Sequence, residues 1–174
     1  MNKTEITSLL TEKHTQFLAT FPPLSEREFS TPASNKWSPA QQLDHIIRSV
    51  SPVVMAFGLP GFVVQWKFGK ANRPSKTYEA LVEKYHAKLA AGGKASAQFL
   101  PTAVSFQDRE AAIAKVNALV QKLNKRVADK SEETLDKLIL PHPLLGKLTF
   151  REMLYFTAYH AEHHEKATKK NLAV

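Results

Sequence analysis

The fold is decided by a stretch near the C-terminus, which reads LTFREMLYFTAYHAEHH over residues 148–164. Thr149 and Glu152 have the spacing of a capping box, in which each side chain bonds a backbone N–H of the first helical turn. Leu148 and Met153 stand at the positions of a hydrophobic staple. A helix is therefore predicted to begin at residue 150, and this start fixes the helical phase of the residues that follow.

Two of the three histidines in this stretch are predicted to face inward. At about 100° per residue, His160 and His164 share the inner stripe of the helix, whereas His163 is rotated away from it. That stripe consists of Phe150, Met153, Thr157 and Ala161. Imidazoles four residues apart on a helix can share one metal ion. The alternative is a pair of hydrogen-bonded core or surface histidines, and a bare HxxxH spacing does not decide between the two without a third ligand.

Helical periodicity predicts further amphipathic helices upstream. The first runs from the N-terminus to about Thr20 and is ended by two prolines. The second begins at the capping box of Ser38 and Gln41 and ends at Gly58. The third takes its inner face from Tyr78 to Leu89 and ends at Gly92-Gly93.

A fourth helix is predicted to follow Asp108 as its N-cap. Its near-heptad stripe is Ile113, Val116, Val120, Leu123 and Val127. Residues 24–37 and 58–74 are expected to be loops, the second long enough for a crossover. A short turn is expected at Ser131, and residues 141–146 are expected to be irregular because prolines interrupt them. The prediction is an all-α chain: a four-helix bundle with a long crossover between helices two and three, forming one domain over residues 1–174.

Composition narrows the function classes. The chain has no cysteine, so disulfides, thiolate metal sites and a cysteine nucleophile are excluded. No apolar run approaches the roughly 20 residues that cross a bilayer, so a cytoplasmic protein without a membrane partner is expected. Lys and Arg number 24 against 16 Asp and Glu, but the basic residues are scattered, and nucleic acid is not expected as a partner. A homodimer stays open.

The best candidate for a third metal ligand is His45. It lies on helix two but off the apolar stripe, beside Gln41, Gln42 and Ser49, so it is not expected to be core filler. A merely solvated polar face would place it equally well, and spacing alone leaves both alternatives open. The remaining histidines, His14, His86 and His142, are expected to be structural or solvated.

Three motifs together resemble the DinB-like superfamily, in its DinB-2 branch of YfiT-like metal-binding and thiol-dependent S-transferase proteins. They are KWSPAQQLDH at residues 36–45, HPLLGKLTFRE at residues 142–152 and YFTAYHAEHH at residues 155–164. Their order along the chain is more specific than any one of them, and the resemblance spans nearly the whole sequence.

The resemblance implies a four-helix bundle with a long crossover and a metal held by one histidine of helix two and an HxxxH pair of the last helix. Those roles map onto His45, His160 and His164. It also implies thiol-dependent transferases and isomerases among the relatives. Many relatives close the last motif with H-H-x-x-Q, whereas Ala167 stands in the final position here, so the substrate side of the site is less defined than the metal.

The leading hypothesis is a divalent-metal enzyme, with Zn or Ni as the ion, in which three neutral imidazoles leave coordination positions open. A low-molecular-weight thiol bound there would supply the sulfur that the chain lacks, giving an S-transferase that acts on a small electrophilic molecule. The alternatives are a metal-dependent hydrolase and a non-enzymatic metal-binding protein of a stress response.

Overall fold

The computed structural model describes residues 1–33 and 36–173. In chain order its helices are α1 (Lys3–Leu18), α2 (Glu26–Ser30), α3 (Pro39–Phe57), α4 (Gly61–Phe68), α5 (Tyr78–Ala90), α6 (Arg109–Ala128), α7 (Glu132–Lys137) and α8 (Phe150–Leu172). A 3₁₀ turn covers Ala97–Phe99, and two strands, β1 (Ile139–His142) and β2 (Gly146–Thr149), pair as an antiparallel hairpin.

The four long helices α1, α3, α6 and α8 form a bundle around one apolar core. Helix α1 packs against α8 and α6, and α3 packs against the same two helices from the other side. The ring of Phe57 at the end of α3 stacks on Phe150 at the start of α8, with 4.2 Å between centroids. The two helices therefore run antiparallel. The four-helix-bundle prediction is confirmed.

The long crossover is also confirmed, and it is more structured than expected. It runs from the end of α3 to the start of α6 and contains α4, α5 and the 3₁₀ turn. The third helix predicted from the sequence corresponds to α5, which is not a member of the four-helix core. It packs on the outer side of α8 instead.

The four helix starts predicted from a capping residue all agree with the structure. Both predicted capping boxes form, Ser38 with Gln41 and Thr149 with Glu152. Ser131 caps the short helix α7. Asp108 is the N-cap residue of α6 as predicted, but its side chain makes no capping bond and instead accepts a hydrogen bond from the Ser105 hydroxyl at 2.6 Å.

Two segments predicted as loops contain short helices. Within residues 24–37, α2 has its own capping box from Ser25 and Glu28 and buries Phe29 against Phe21. Within residues 58–74, α4 buries Val64. Helices of five and eight residues complete too few turns for periodicity to reveal them. Ser34 and Asn35, also assigned to the first loop, lie outside the described residues.

The segment 141–146 was expected to be irregular, and that expectation is wrong. Strand β1 pairs Ile139 with Thr149 and His142 with Gly146 across a tight turn. Pro141 is tolerated because both strands of a two-stranded hairpin are edge strands. A residue without a backbone N–H can stand in an edge strand without breaking a hydrogen bond of the sheet. Gly146 adopts φ +76°, which explains a glycine at the turn.

Helix α8 is buried on all sides over its first three turns, from Phe150 to Ala161. It is surrounded by α1, α3, α5, α7 and the hairpin. In the described part of the chain, no single helix is both long and apolar enough to cross a bilayer. Helices α3 and α4 reach that length and apolar content only when taken together, and a bend of 112° separates them.

Candidate metal centre

Three histidines meet between α3 and α8. The Nε2 atom of His45 lies 3.2 Å from Nε2 of His160, which in turn lies 2.9 Å from Nε2 of His164. All three side chains are buried, with exposed fractions of 4%, 6% and 6%. The structure therefore brings together the three histidines that the sequence selected.

The spacing of these nitrogens suits a metal ion. Two imidazole nitrogens that each bind Zn²⁺ at about 2.0–2.1 Å lie about 2.8–3.0 Å apart at a right angle and about 3.3–3.4 Å apart at the tetrahedral angle. Both measured separations fall within this span. Within the described residues, one ligand atom from each histidine lies within 4.8 Å of the other two.

The tautomers of two of the histidines are fixed by their outer hydrogen bonds. Nδ1 of His45 lies 2.7 Å from the backbone carbonyl oxygen of Phe99. Nδ1 of His164 makes a short hydrogen bond to the side-chain oxygen of Gln42. A carbonyl oxygen can only accept, so both Nδ1 atoms carry the proton and both Nε2 atoms present a lone pair.

These two lone pairs face the Nε2 atom of His160 from different directions. If that atom carries a proton, it can donate fully to only one of them; if it does not, three lone pairs converge. In either case at least one buried Nε2 lone pair receives no full hydrogen bond from the other two imidazoles, and a bound cation would satisfy it. The donor set thus fits a divalent ion better than it fits a set of histidines alone.

Burial keeps these imidazoles neutral. It lowers the pKa of His45, although the hydrogen bond to Phe99 and the charge of Asp44 partly offset the effect. The pKa values of His160 and His164 lie well below the usual range, first because of burial and then because neighbouring imidazoles disfavour a second positive charge. At neutral pH the three nitrogens are free to bind a metal.

The polar face of α3 is interior, which the sequence did not indicate. Gln42 and His45 are buried because this face is turned toward α8, and not because the residues are apolar. Trp37 covers the same place from the loop before α3, with its ring centroid 4.8 Å from His45 and 6.0 Å from His164. The Ser49 hydroxyl, one turn after His45, lies 3.5 Å from its Nε2 atom.

The other side of the triad is lined by aromatic rings. Phe156 stacks on His160, with 4.8 Å between centroids, and the ring of His142 in the hairpin packs edge-on against Phe156 with 4.2 Å between centroids. Tyr85 from α5 lies 6.3 Å from the His160 ring and 5.5 Å from His163. Burial raises the pKa of Tyr85 to about 12, so its phenol stays protonated.

His163 lies beside the triad and not in it. Its ring is half-buried and packs edge-on against His164, 5.1 Å between centroids. Two nearby carboxylates, of Asp44 next to His45 in α3 and of Glu152 in the first turn of α8, point away from the triad. Asp44 bonds Arg48 and the backbone N–H of Thr102, and Glu152 is fully buried in an ion pair with Arg73.

The remaining histidines have separate surroundings. His14 is buried in α1 and bonds the Leu10 carbonyl, while His86 bonds the Tyr159 hydroxyl at 2.6 Å. Nδ1 of His142 accepts two backbone N–H groups in the hairpin turn. Within the described residues, none of the three joins a metal-binding group with the triad.

Sequence reasoning missed two groups that orient the ligands. Gln42 was noted only as a polar neighbour of His45, and nothing in the sequence connected it to His164, 122 positions further on. The Phe99 carbonyl was invisible because a backbone oxygen leaves no mark in the side-chain pattern. Trp37 belongs to the motif at residues 36–45, but nothing in the sequence indicated its contact with the triad.

The fold and the site together define a four-helix bundle with a long crossover and a buried three-histidine cluster capable of holding a metal. A sequence profile of the DinB superfamily, DinB_2, matches residues 9–166. The chain belongs to the DinB superfamily.

Among solved structures, the chain is similar to the crystal structure of TT2238, described as a four-helix bundle protein. The two share 17% sequence identity, with 97% of this chain and 99% of that chain aligned and a TM-score of 0.60. This likeness supports the fold. No curated protein matches the sequence significantly.

Proposed function

We propose that this protein is a metal-dependent enzyme that transfers a low-molecular-weight thiol to a small electrophilic molecule. The observation that carries the proposal is the convergence of three neutral imidazole nitrogens whose outer partners hold two of them in the metal-binding tautomer. Three such ligands underfill the shell of Zn²⁺ or Ni²⁺, so positions stay open for an exchangeable ligand.

A divalent ion held by His45, His160 and His164 would supply Lewis acidity and lower the pKa of a thiol or water that binds it. The protein's own residues do the rest. Gln42 and the Phe99 carbonyl orient two ligands, and Trp37 and Phe156 limit the access of water to the site. The Ser49 hydroxyl is near enough to donate a hydrogen bond to an incoming polar group.

The thiol must come from outside, since the chain has no cysteine. In the proposed reaction a sulfur lone pair of the thiolate forms the new C–S bond. The leaving group departs with the bonding pair, and the thiol proton is released to solvent. The aromatic lining of Phe156 and Tyr85 suits a small, partly apolar electrophile.

A transferase is favoured over a hydrolase because hydrolytic metal sites commonly add a carboxylate base next to the bound water. In the described part of the chain, two nearby carboxylates are held in ion pairs, Asp44 with Arg48 and Glu152 with Arg73. A thiol whose pKa is lowered to neutrality needs no such base.

The test replaces the native ion with Co²⁺ and titrates the protein with a small thiol. We expect the visible spectrum of the Co²⁺ protein to change as sulfur enters the coordination shell, and a chromogenic aryl chloride to be consumed in a thiol-dependent reaction. His163→Ala is the matched control for His160→Ala, which should lose both signals. An unchanged spectrum with ester cleavage would favour the hydrolase, and the absence of both responses would leave a metal-binding protein.

A further inference from the structure

Four large apolar side chains are exposed where α3 meets α4. Met55, Leu59, Phe62 and Trp66 have exposed fractions of 67%, 39%, 77% and 87%. We call these four residues the α4 patch. The described part of the chain has only three other exposed large apolar side chains, and they are scattered. An apolar cluster of this kind on a surface marks a place where something binds.

The outward aromatic residues of α4 have no role in packing this chain. Val64 and Phe68, one turn apart, form the inner face of α4, which lies on strand β1. Phe62 and Trp66, also one turn apart, lie about 200° around the helix from them and face solvent. The bundle would bury the same core with serine at both outer positions.

The chain segment that carries the α4 patch has charges of one sign. No Asp or Glu occurs between Asp44 and Glu79. Lys67 lies on α4 and Lys70 follows its end, while Nζ of Lys147 reaches the carbonyl oxygen of Phe68 at 3.3 Å. Among the ion pairs of the described residues, none includes these three lysines.

We propose that the α4 patch docks this protein on the surface of an anionic lipid bilayer. Trp and Phe are the side chains that settle at the depth of lipid headgroups, and neighbouring lysines bind the anionic headgroups themselves. A second copy of the chain fits less well. In a symmetric dimer with its two-fold axis at Trp66, Lys67 and Lys70 of one copy would lie near the same lysines of the other copy. Like charges would then meet across the interface.

The sequence led to the expectation of no membrane partner, but that argument considered only segments that span a bilayer. Surface docking needs only a few exposed aromatic residues with a cationic rim. The patch lies at the opposite end of α3 from the metal centre, since His45 and Phe57 are 12 positions or about 18 Å apart along the helix. Docking would therefore leave the metal centre accessible from the solvent side.

The test is flotation of the purified full chain with phosphatidylglycerol vesicles and with phosphatidylcholine vesicles. We expect binding to the anionic vesicles, weakened by salt, with a blue shift of tryptophan emission. Phe62→Ser combined with Trp66→Ser should weaken binding at least about tenfold, and Leu172→Ser is the matched control at another exposed apolar site. Lys67→Gln and Lys70→Gln should each weaken it roughly fivefold, whereas Lys115→Gln on α6 should not.

Three results would overturn the proposal. The first is failure to bind anionic vesicles, and the second is binding that the double serine variant retains. The third is self-association in lipid-free solution, measured by sedimentation, that the same double variant abolishes; the patch would then be an interface between copies. Because Phe62 and Trp66 are exposed, circular dichroism should show all variants folded.

Discussion

Replacing Gln42 with leucine tests the outer hydrogen bond of the metal centre. Gln42 is 4% exposed, and its side-chain oxygen accepts the Nδ1 proton of His164. Leucine nearly keeps the volume but removes the acceptor, so a buried N–H is left unpaired and the tautomer of His164 is no longer held. Loss of such a partner typically weakens metal binding about 10–100-fold, which corresponds to about 1.4–2.7 kcal/mol.

The effect can be measured as thermal stability. Metal at about a thousand times its Kd stabilises the folded state by about 4 kcal/mol. At the same metal concentration, Gln42→Leu should lose about 1.4–2.7 kcal/mol of this. In a domain of this size 1 kcal/mol shifts Tm by about 2–4 °C. The rise in Tm on adding Zn²⁺ should therefore be smaller by roughly 3–10 °C.

Two further variants isolate the cause. Gln121→Leu makes the same chemical change at an exposed position on α6 and should leave the metal-induced rise in Tm unchanged. Gln42→Glu keeps an acceptor and makes it a carboxylate, so it should bind metal at least as tightly as the wild type. The reasoning is refuted if Gln42→Leu binds metal within about twofold of the wild type or if Gln42→Glu fails as badly as Gln42→Leu.

Three other predictions follow from contacts in the structure. His160→Ala should abolish tight metal binding by calorimetry and His163→Ala should not, because only the first lies in the triad; the reverse result would mean that the register of α8 is wrong. Burial lowers the pKa of His14 to about 4, so this neutral histidine stabilises the fold above pH 6.5, and the stabilisation is lost as the pH falls through 4. Urea titrations should show a loss of up to about 3 kcal/mol in the free energy of unfolding. His14→Leu should make that free energy depend less steeply on pH. Arg73→Met should lower the free energy of unfolding by about 2 kcal/mol, because it leaves the fully buried carboxylate of Glu152 without its cation. A loss of less than half that amount would show that the backbone N–H groups around Glu152 stabilise its charge without Arg73.

The parts of the fold that the sequence predicted are those with strong local signals. The capping boxes at Ser38 and Thr149 fixed the starts of α3 and α8 because their side-chain bonds are local and independent of the rest of the chain. The hairpin was missed because its pairing of Ile139 with Thr149 is non-local, and prolines in the segment excluded a helix without indicating a strand. The place of α5 outside the core was missed because amphipathic periodicity identifies an inner face but not the helix that covers it.

The candidate site was predicted by two arguments of unequal value. The helical phase of α8 separated His160 and His164 from His163. Phase did not predict burial in the first three turns, however, because Glu152 and Tyr159 lie off the inner stripe and are nevertheless buried like the stripe itself. The family motifs supplied His45, which helical phase had left open between a ligand and a solvated residue. Its burial follows from the contact between α3 and α8, which a pattern within α3 does not encode.

The crossover takes part in the candidate metal centre although none of its side chains belongs to the histidine triad. Within a helix, most backbone carbonyls are occupied by the N–H four residues on, so they are not free to hold an imidazole. The carbonyl of Phe99 is available because it ends a 3₁₀ turn, where the chain leaves the helical pattern. Two further contacts fix this segment to α3: the backbone N–H of Thr102 donates to Asp44 at 2.8 Å, and Arg48 donates to the Thr102 hydroxyl at 3.0 Å. A bundle whose helices were joined only by tight turns would lack this carbonyl, so the long connection gives His45 the acceptor that keeps its Nε2 lone pair directed toward His160 and His164.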